Sequence, residues 1–213
     1  EHDHPDIYPT AESFRDAFVD FIHLLPEDGT FVYCSDDVGA TDLAKEAKVE
    51  TIGYSLADTN AKPNTRGGFD FTFERLNVSL QVPGKHNVWN ALAVMTVIAE
   101  LGWSLEDAAA ALGRFSGTGR RFELVGEQNG IAVYDDYAHH PTEVRTTLKT
   151  AKEVYKRRVV VIFQPHLFSR MRDFANEFAG RAALFQSGNQ PFGMQPLTSH
   201  VPRLTREWGG DKP

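Results

Sequence analysis

The chain has 213 residues, 41% of them hydrophobic and 24% charged, and a net charge of −7 at pH 7. That is enough mass for one large or two modest globular domains with real cores. The acidic balance and the lack of any basic stripe exclude an electrostatic nucleic-acid footprint. The longest nearly unbroken apolar run, residues 91–99, contains Thr96 and falls far short of the ~18 residues a membrane span needs.

The opening, Glu1-His2-Asp3-His4-Pro5-Asp6, crowds ionisable groups whose nitrogens and oxygens suit a divalent cation. Three readings stand: a metallohydrolase site from His2, His4 and Asp6, a solvated acidic terminus, or a single metal ligand in a loop entering a helix. Thr10 then caps a helix with Glu12 in its first turn, and Phe14, Phe18, Phe21, Ile22 and Leu25 form one apolar stripe expected to be core. A strand over 31–34 carries the lone Cys34, which excludes an internal disulfide and fits a reducing cytosol. A short helix over about 41–47 and a strand over 51–54 follow, predicting part of a mostly parallel sheet. Residues 57–68 read as a loop, and 69–73 and 78–82 alternate as half-exposed, antiparallel strands.

Pro83 and Gly84 break that pattern, and a helix runs on to about Leu101. Asn87 and Asn90 lie three apart on its first turn, where amides can read a purine edge or simply cap the helix. A second helix, 105–112, leads to Gly117-Thr118-Gly119-Arg120-Arg121, which reads as a domain junction. Its arginines either bind phosphate bidentately or are solvated hinge charges.

The second half opens with a strand over 122–125 and a hairpin turn at Asn129-Gly130. Residues 131–134 then read as a buried strand, ending in Asp135-Asp136-Tyr137-Ala138-His139-His140 before a helix that starts at Pro141. The strand end is where an open α/β sheet binds ligands; the bland alternative is a solvated polar loop. Residues 159–163 predict a fully buried strand, with Gln164-Pro165-His166 and Arg170 beyond its end. As neighbouring parallel strands joined by one helix, the two should form a right-handed βαβ unit, bringing His139 and His166 to one crevice beside Arg170. Otherwise His166 is a hydrogen-bonded strand-end histidine with no ligand role.

Five stretches in this order resemble the Mur ligases: Glu1-x-Asp3-His4, Pro83-Gly84-x-His86-Asn87-x-x-Asn90-Ala91, Gly117-Thr118-Gly119-Arg120-Arg121-Phe122-Glu123, Asp135-Asp136-Tyr137-x-His139-His140-Pro141-Thr142-Glu143, and Phe163-Gln164-Pro165-His166-x-Phe168-x-Arg170. The resemblance implies an α/β fold: residues 1–117 the later part of a central ATPase domain, 118–179 the front of a Rossmann-like C-terminal domain, and 180–213 a tail outside it. It implies ATP and Mg²⁺ as cofactors, with His4 a metal ligand, Asn87 and Asn90 at the adenine, and Arg120, Arg121 and Asp136 at the interdomain cleft and the ribose. His139, His166 and Arg170 would gather round the amino acid and the muramoyl carboxylate.

The implied reaction phosphorylates the lactyl carboxylate of UDP-N-acetylmuramate, and the amine of L-alanine attacks the acyl phosphate. This is a cytoplasmic step of peptidoglycan precursor synthesis. The Phe-Gln-Pro-His segment favours the alanine-adding branch over the one that recycles murein tripeptide. Three features depart from the pattern. No Gly-x-x-x-x-Gly-Lys-Ser/Thr occurs, the domain that would hold the UDP moiety is missing, and the Gln-, Pro- and Gly-rich stretch 186–213 lacks the apolar content to fold by burial. With Glu1 in the place of an initiator Met, the chain reads as a fragment inactive alone, or as a module that binds only the adenosine end of a nucleotide.

Overall fold

The computed structural model describes residues 2–155, 158–164 and 178. The chain divides into two compact units, Glu1–Ala175 and Asn176–Pro213, and the architecture below is that of the first.

Helix α1, Ala11–Ile22, starts where Thr10 accepts from the Ser13 N–H while the Ser13 hydroxyl answers the Thr10 N–H, a reciprocal cap. Of its stripe, Ile22 is buried, but Phe18 is exposed and Phe21 is 68% exposed. The expected aromatic core is instead an edge-to-face ladder, with Phe14 against Tyr8 and Phe18 at ring separations of 5.4 and 5.1 Å. Strands β1 (Thr30–Cys34) and β2 (Glu50–Tyr54) pair in parallel, Thr30 opposite Glu50 and Cys34 opposite Tyr54. Between them α2 spans Val38–Ala44, three residues ahead of the expected start, because the Asp37 carboxylate caps the Ala40 N–H at 2.7 Å.

A 3-10 turn, Leu56–Asp58, leads to a three-stranded antiparallel sheet: β3 (Lys62–Pro63), β4 (Phe69–Phe73) and β5 (Leu76–Ser79). Helices α3 (Lys85–Glu100) and α4 (Leu105–Arg114) follow. The core lies between this sheet and α3: Phe69, Phe71, Val78 and Leu80 meet Val88, Ala91, Leu92 and Met95, with Leu105 and Leu112 of α4 packed alongside. Each large side chain sealed there contributes about 1.5–3 kcal/mol. Ladder pairing ends at Ser79, yet the chain stays inside through Leu80 and Val82, so the break at Pro83-Gly84 delivers the start of α3 directly off the core.

Strands β6 (Glu123–Gln128) and β7 (Ile131–Asp135) form a hairpin with a bulge between Leu124 and Gly126. Its turn puts Asn129 and Gly130 at φ 53° and 75°, the two left-handed residues a tight hairpin requires. Helix α5, Pro141–Val154, leaves the end of β7. Two expectations fail here. Ile131 and Val133 are exposed, so β7 is buried on one side at most. Residues 159–163 form no strand, with Val160 73% and Ile162 84% exposed. A parallel strand gains its burial from neighbours on both sides, and among the described residues β7 pairs only with β6.

Candidate functional site

Where α3, the Gly117–Gly119 junction and α5 meet, they enclose a cavity of about 1120 Å³. Its walls include His86, Asn87 and Asn90 from the first turns of α3, Arg121 from the junction, Asp136 from beyond β7, and Glu143 with Thr146 and Thr150 from α5. Gly84 makes the approach of α3 and α5 feasible. Its φ is +91°, and a Cβ there would lie 2.4 Å from the His86 ring and 2.8 Å from the Thr150 hydroxyl.

The two asparagines divide their work. Asn87 donates to the Pro83 carbonyl at 2.7 Å and so closes the turn into the helix, as a cap would. Asn90 donates weakly to Asn87 Oδ1, at 3.4 Å, and its carbonyl has no partner among the described residues. Asp136 holds the junction together. Its two oxygens accept the Phe122 N–H at 2.8 Å and the Ala138 N–H at 2.7 Å, stitching the segment before β6 to the loop after β7.

The adjacent arginines diverge. Arg121 lines the cavity and pairs with Glu143 at 3.6 Å. Arg120 does not line it. Its Nε donates to Asp135 at 3.2 Å and its guanidinium lies over the Tyr137 ring at 4.7 Å. Arg120 and Phe122, on either side of Arg121, have positive φ, and both guanidinium groups lie over the Tyr137 ring, that of Arg121 at 5.9 Å. His139 also stands outside the lining, its Nδ1 2.8 Å from the Tyr137 carbonyl and 3.6 Å from Glu143. His166 and Arg170, expected to share a crevice with His139, lie outside the described residues.

Two residues that carry weight here have no assigned role in the sequence reading. Glu143 accepts the backbone N–H groups of His139 and His140, while the His140 imidazole accepts from the Thr142 N–H. The signal was present as a capping-box spacing, His140-x-x-Glu143, with an imidazole in place of the usual hydroxyl. Burial alone would raise the Glu143 carboxyl, but those amides, with His139 and Arg121, hold it below its ordinary value of 4.5. Its contribution is therefore complete above that value and is lost as pH falls through the lower folded one. The melting temperatures of the wild type and Glu143→Gln should differ near neutrality and converge well below pH 4.5; a constant gap would remove this role. His86 has a buried Nδ1 with no hydrogen-bond partner among the described residues. Burial lowers its affinity for a proton, Asp136 opposes that shift and Arg121 adds to it.

The metallohydrolase reading of the N-terminus fares less well. Residues 4–8 turn back, with the Ile7 and Tyr8 N–H groups on the His4 carbonyl, so His2, His4 and Asp6 do not share one side of an extended segment. His2 Nε2 bonds the Tyr8 carbonyl at 2.7 Å, and His4 lies 3.7 Å from Asp3. Among the described residues no three His, Cys, Asp or Glu side chains gather to hold a metal ion, and no helix is long and apolar enough to cross a membrane.

Comparison with known proteins places these features. The Mur ligase middle-domain profile matches residues 1–98, and the Mur ligase glutamate ligase domain profile matches 120–200. The UDP-N-acetylmuramate–L-alanine ligase of Renibacterium salmoninarum is 48% identical over 199 residues, covering 88% of this chain and 43% of that protein. Its counterpart in Arthrobacter sp. is 46% identical over 189 residues, covering 84% and 40%. The crystal structure of UDP-N-acetylmuramate–alanine ligase from Thermotoga maritima superposes with a TM-score of 0.63 at 33% identity, over 86% of this chain and 42% of that one. A murein peptide ligase from Psychrobacter arcticus gives 0.53 at 29% identity, over 78% and 36%. The chain thus spans about two fifths of the length of these relatives. With matches to two successive domains of one family and the same α/β fold, the chain belongs to the Mur ligases.

Proposed function

We propose that the chain is the adenine-nucleotide-binding portion of an ATP-dependent ligase that joins L-alanine to UDP-N-acetylmuramate in the cytoplasm. The observation that carries this reading is the convergence of Asn90, Arg121 and Asp136 on one cavity, in a chain 48% identical to such a ligase. The cavity floor would take the adenine against Asn90, with Arg121 and Asp136 facing the sugar and phosphates. The division between the two functional halves is put at 117/118, a reading supported by the turn at Gly117, φ 109°. In the full reaction the lactyl carboxylate oxygen attacks the γ-phosphorus and ADP leaves. The alanine amine then attacks the acyl carbon, phosphate departs and the amine loses a proton. His139, His166 and Arg170 are assigned to the carboxylate and the incoming amino acid, since a guanidinium stays charged and imidazole nitrogens can hydrogen-bond both groups.

A magnesium ion would be held by His4, with Asp3 beside it. Two protein donors at most suit a cation that keeps several waters and takes its remaining oxygens from phosphates. Charge neutralisation of the migrating phosphoryl group is what it would supply.

These 213 residues contain no phosphate-cradling Gly-x-x-x-x-Gly-Lys-Ser/Thr loop. The chain alone is therefore expected to bind nucleotide without turnover. Joined to a P-loop-bearing segment and a UDP-binding domain of a close relative, it should sustain ADP release over many turnovers only with UDP-N-acetylmuramate and L-alanine both present. His166→Ala should then raise the apparent constant for L-alanine at least tenfold more than that for ATP. Release of ADP with a murein tripeptide but not with L-alanine would assign the chain to the recycling branch instead. Turnover by the 213 residues unaided would refute the binding-only expectation.

A further inference from the structure

Recognition side chains are only as precise as the helix that carries them, and α3 is tied to the parallel strand pair near both of its ends. At its last residue, Glu100 accepts from the hydroxyl of Thr30, the first residue of β1, at 2.8 Å. Near its start, the Trp89 indole N–H donates to Asp36 Oδ2 at 2.6 Å, and Asp36 lies two residues past the end of β1. Helix and strand therefore run antiparallel. Two bonds about 16 Å apart along the helix axis fix both its sliding and its rotation against the strands.

Asp36 is itself immobilised. Its Oδ1 accepts from the Ser55 hydroxyl at 2.6 Å and its Oδ2 also accepts from the Leu56 N–H at 2.8 Å, both at the start of the 3-10 turn. Those three donors hold its carboxyl below the ordinary range. Its neighbour Asp37 is committed elsewhere, as the cap of α2.

We infer that Asp36 is a positioning residue for the nucleotide-reading amides, acting through Trp89. The indole lies two residues after Asn87 and one before Asn90 in the same turn. A helix rotation of about 20° would move an amide ~6 Å from the axis by about 2 Å, enough to break a hydrogen bond. Gripping the indole fixes that rotation at the end of the helix where precision matters, while the Thr30–Glu100 bond acts at the far end. The inference rests on the adenine reading proposed above.

Four variants of the 213-residue chain separate positioning from plain stability. Asp36→Ala removes all three bonds, and Trp89→Phe removes the indole alone. Asp36→Asn keeps the grip, since its carbonyl can accept from Trp89 and Leu56 while its amide donates to the Ser55 oxygen. Thr30→Val cuts the distant tether. The side-chain amide resonances of Asn87 and Asn90, the melting temperature, and the affinities for ATP and GTP are measured for each.

Asp36→Ala and Trp89→Phe should shift both amide resonances and lower the ATP-over-GTP preference by about tenfold. Asp36→Asn should restore both, and Thr30→Val should lower the melting temperature while moving neither. Resonances unchanged in both Asp36→Ala and Trp89→Phe, or moved equally by Thr30→Val, would overturn the inference. A wild-type chain that binds neither nucleotide would defeat the adenine reading, and the resonances would still decide the positioning role.

Discussion

Gly84→Ala should cost about 2–4 kcal/mol and close part of the cavity at the same time. Two effects add at this buried position. A φ of +91° is strained for any residue with a Cβ, worth roughly 1–2 kcal/mol. The new methyl would also lie 2.4 Å from His86 Cε1, 2.6 Å from its Nδ1 and 2.8 Å from Thr150 Oγ1. The imidazole can swing away, but only into the cavity it lines, and Thr150 sits on the packed face of α5. Gly102→Ala supplies the control. Its φ is +66°, yet nothing lies within 4 Å of the added Cβ, so it should show the conformational cost alone. Thermal melting should place Gly84→Ala about 5–10 °C below wild type and Gly102→Ala within a few degrees of it. Equal shifts would mean that the approach of α3 to α5 is loose, and that the cavity is not a built feature.

What the sequence showed plainly was whatever local chemistry decides. Thr10 announces α1, Asn129-Gly130 the hairpin and Pro141 the start of α5, because a cap, a left-handed pair and a missing N–H each act within a turn. The start of α2 was missed for an equally local reason: the Asp37 carboxylate caps the Ala40 N–H, so the helix begins three residues before 41. Burial was the weak point. The aromatic stripe of α1 and the Val-Ile run at 159–163 read as interior, yet Phe21 and Ile162 are exposed. Periodicity says which face seeks cover; whether anything covers it is settled by distant chain.

The site shows the same division. The family resemblance, not spacing, gave Asn90, Arg121 and Asp136 their roles, and all three line the cavity together with Asn87. Spacing could not separate Arg120 from Arg121, since what distinguishes them is the partner each finds, Asp135 for one and Glu143 for the other. Nor could it place His139 outside the lining, held by the Tyr137 carbonyl and Glu143. The Asp36–Trp89 bond spans 53 residues and had no local signature at all.

Titration of the 213-residue chain with ATP in a calorimeter, with Asn90→Ala alongside, tests the nucleotide reading most directly. Asn90 lines the cavity from a helix tied near both ends, its amide engaged only by a long 3.4 Å bond to Asn87. A bidentate amide pair on an adenine edge is worth about 1–3 kcal/mol, or roughly ten- to a hundredfold in affinity. The wild-type chain should bind one equivalent of ATP in preference to GTP. Asn90→Ala should lose that factor for ATP, lose far less for GTP, and keep its melting temperature. A wild-type chain with no saturable ATP binding, or an Asn90→Ala variant that binds ATP as tightly as wild type, would contradict the assignment of this cavity to an adenine nucleotide.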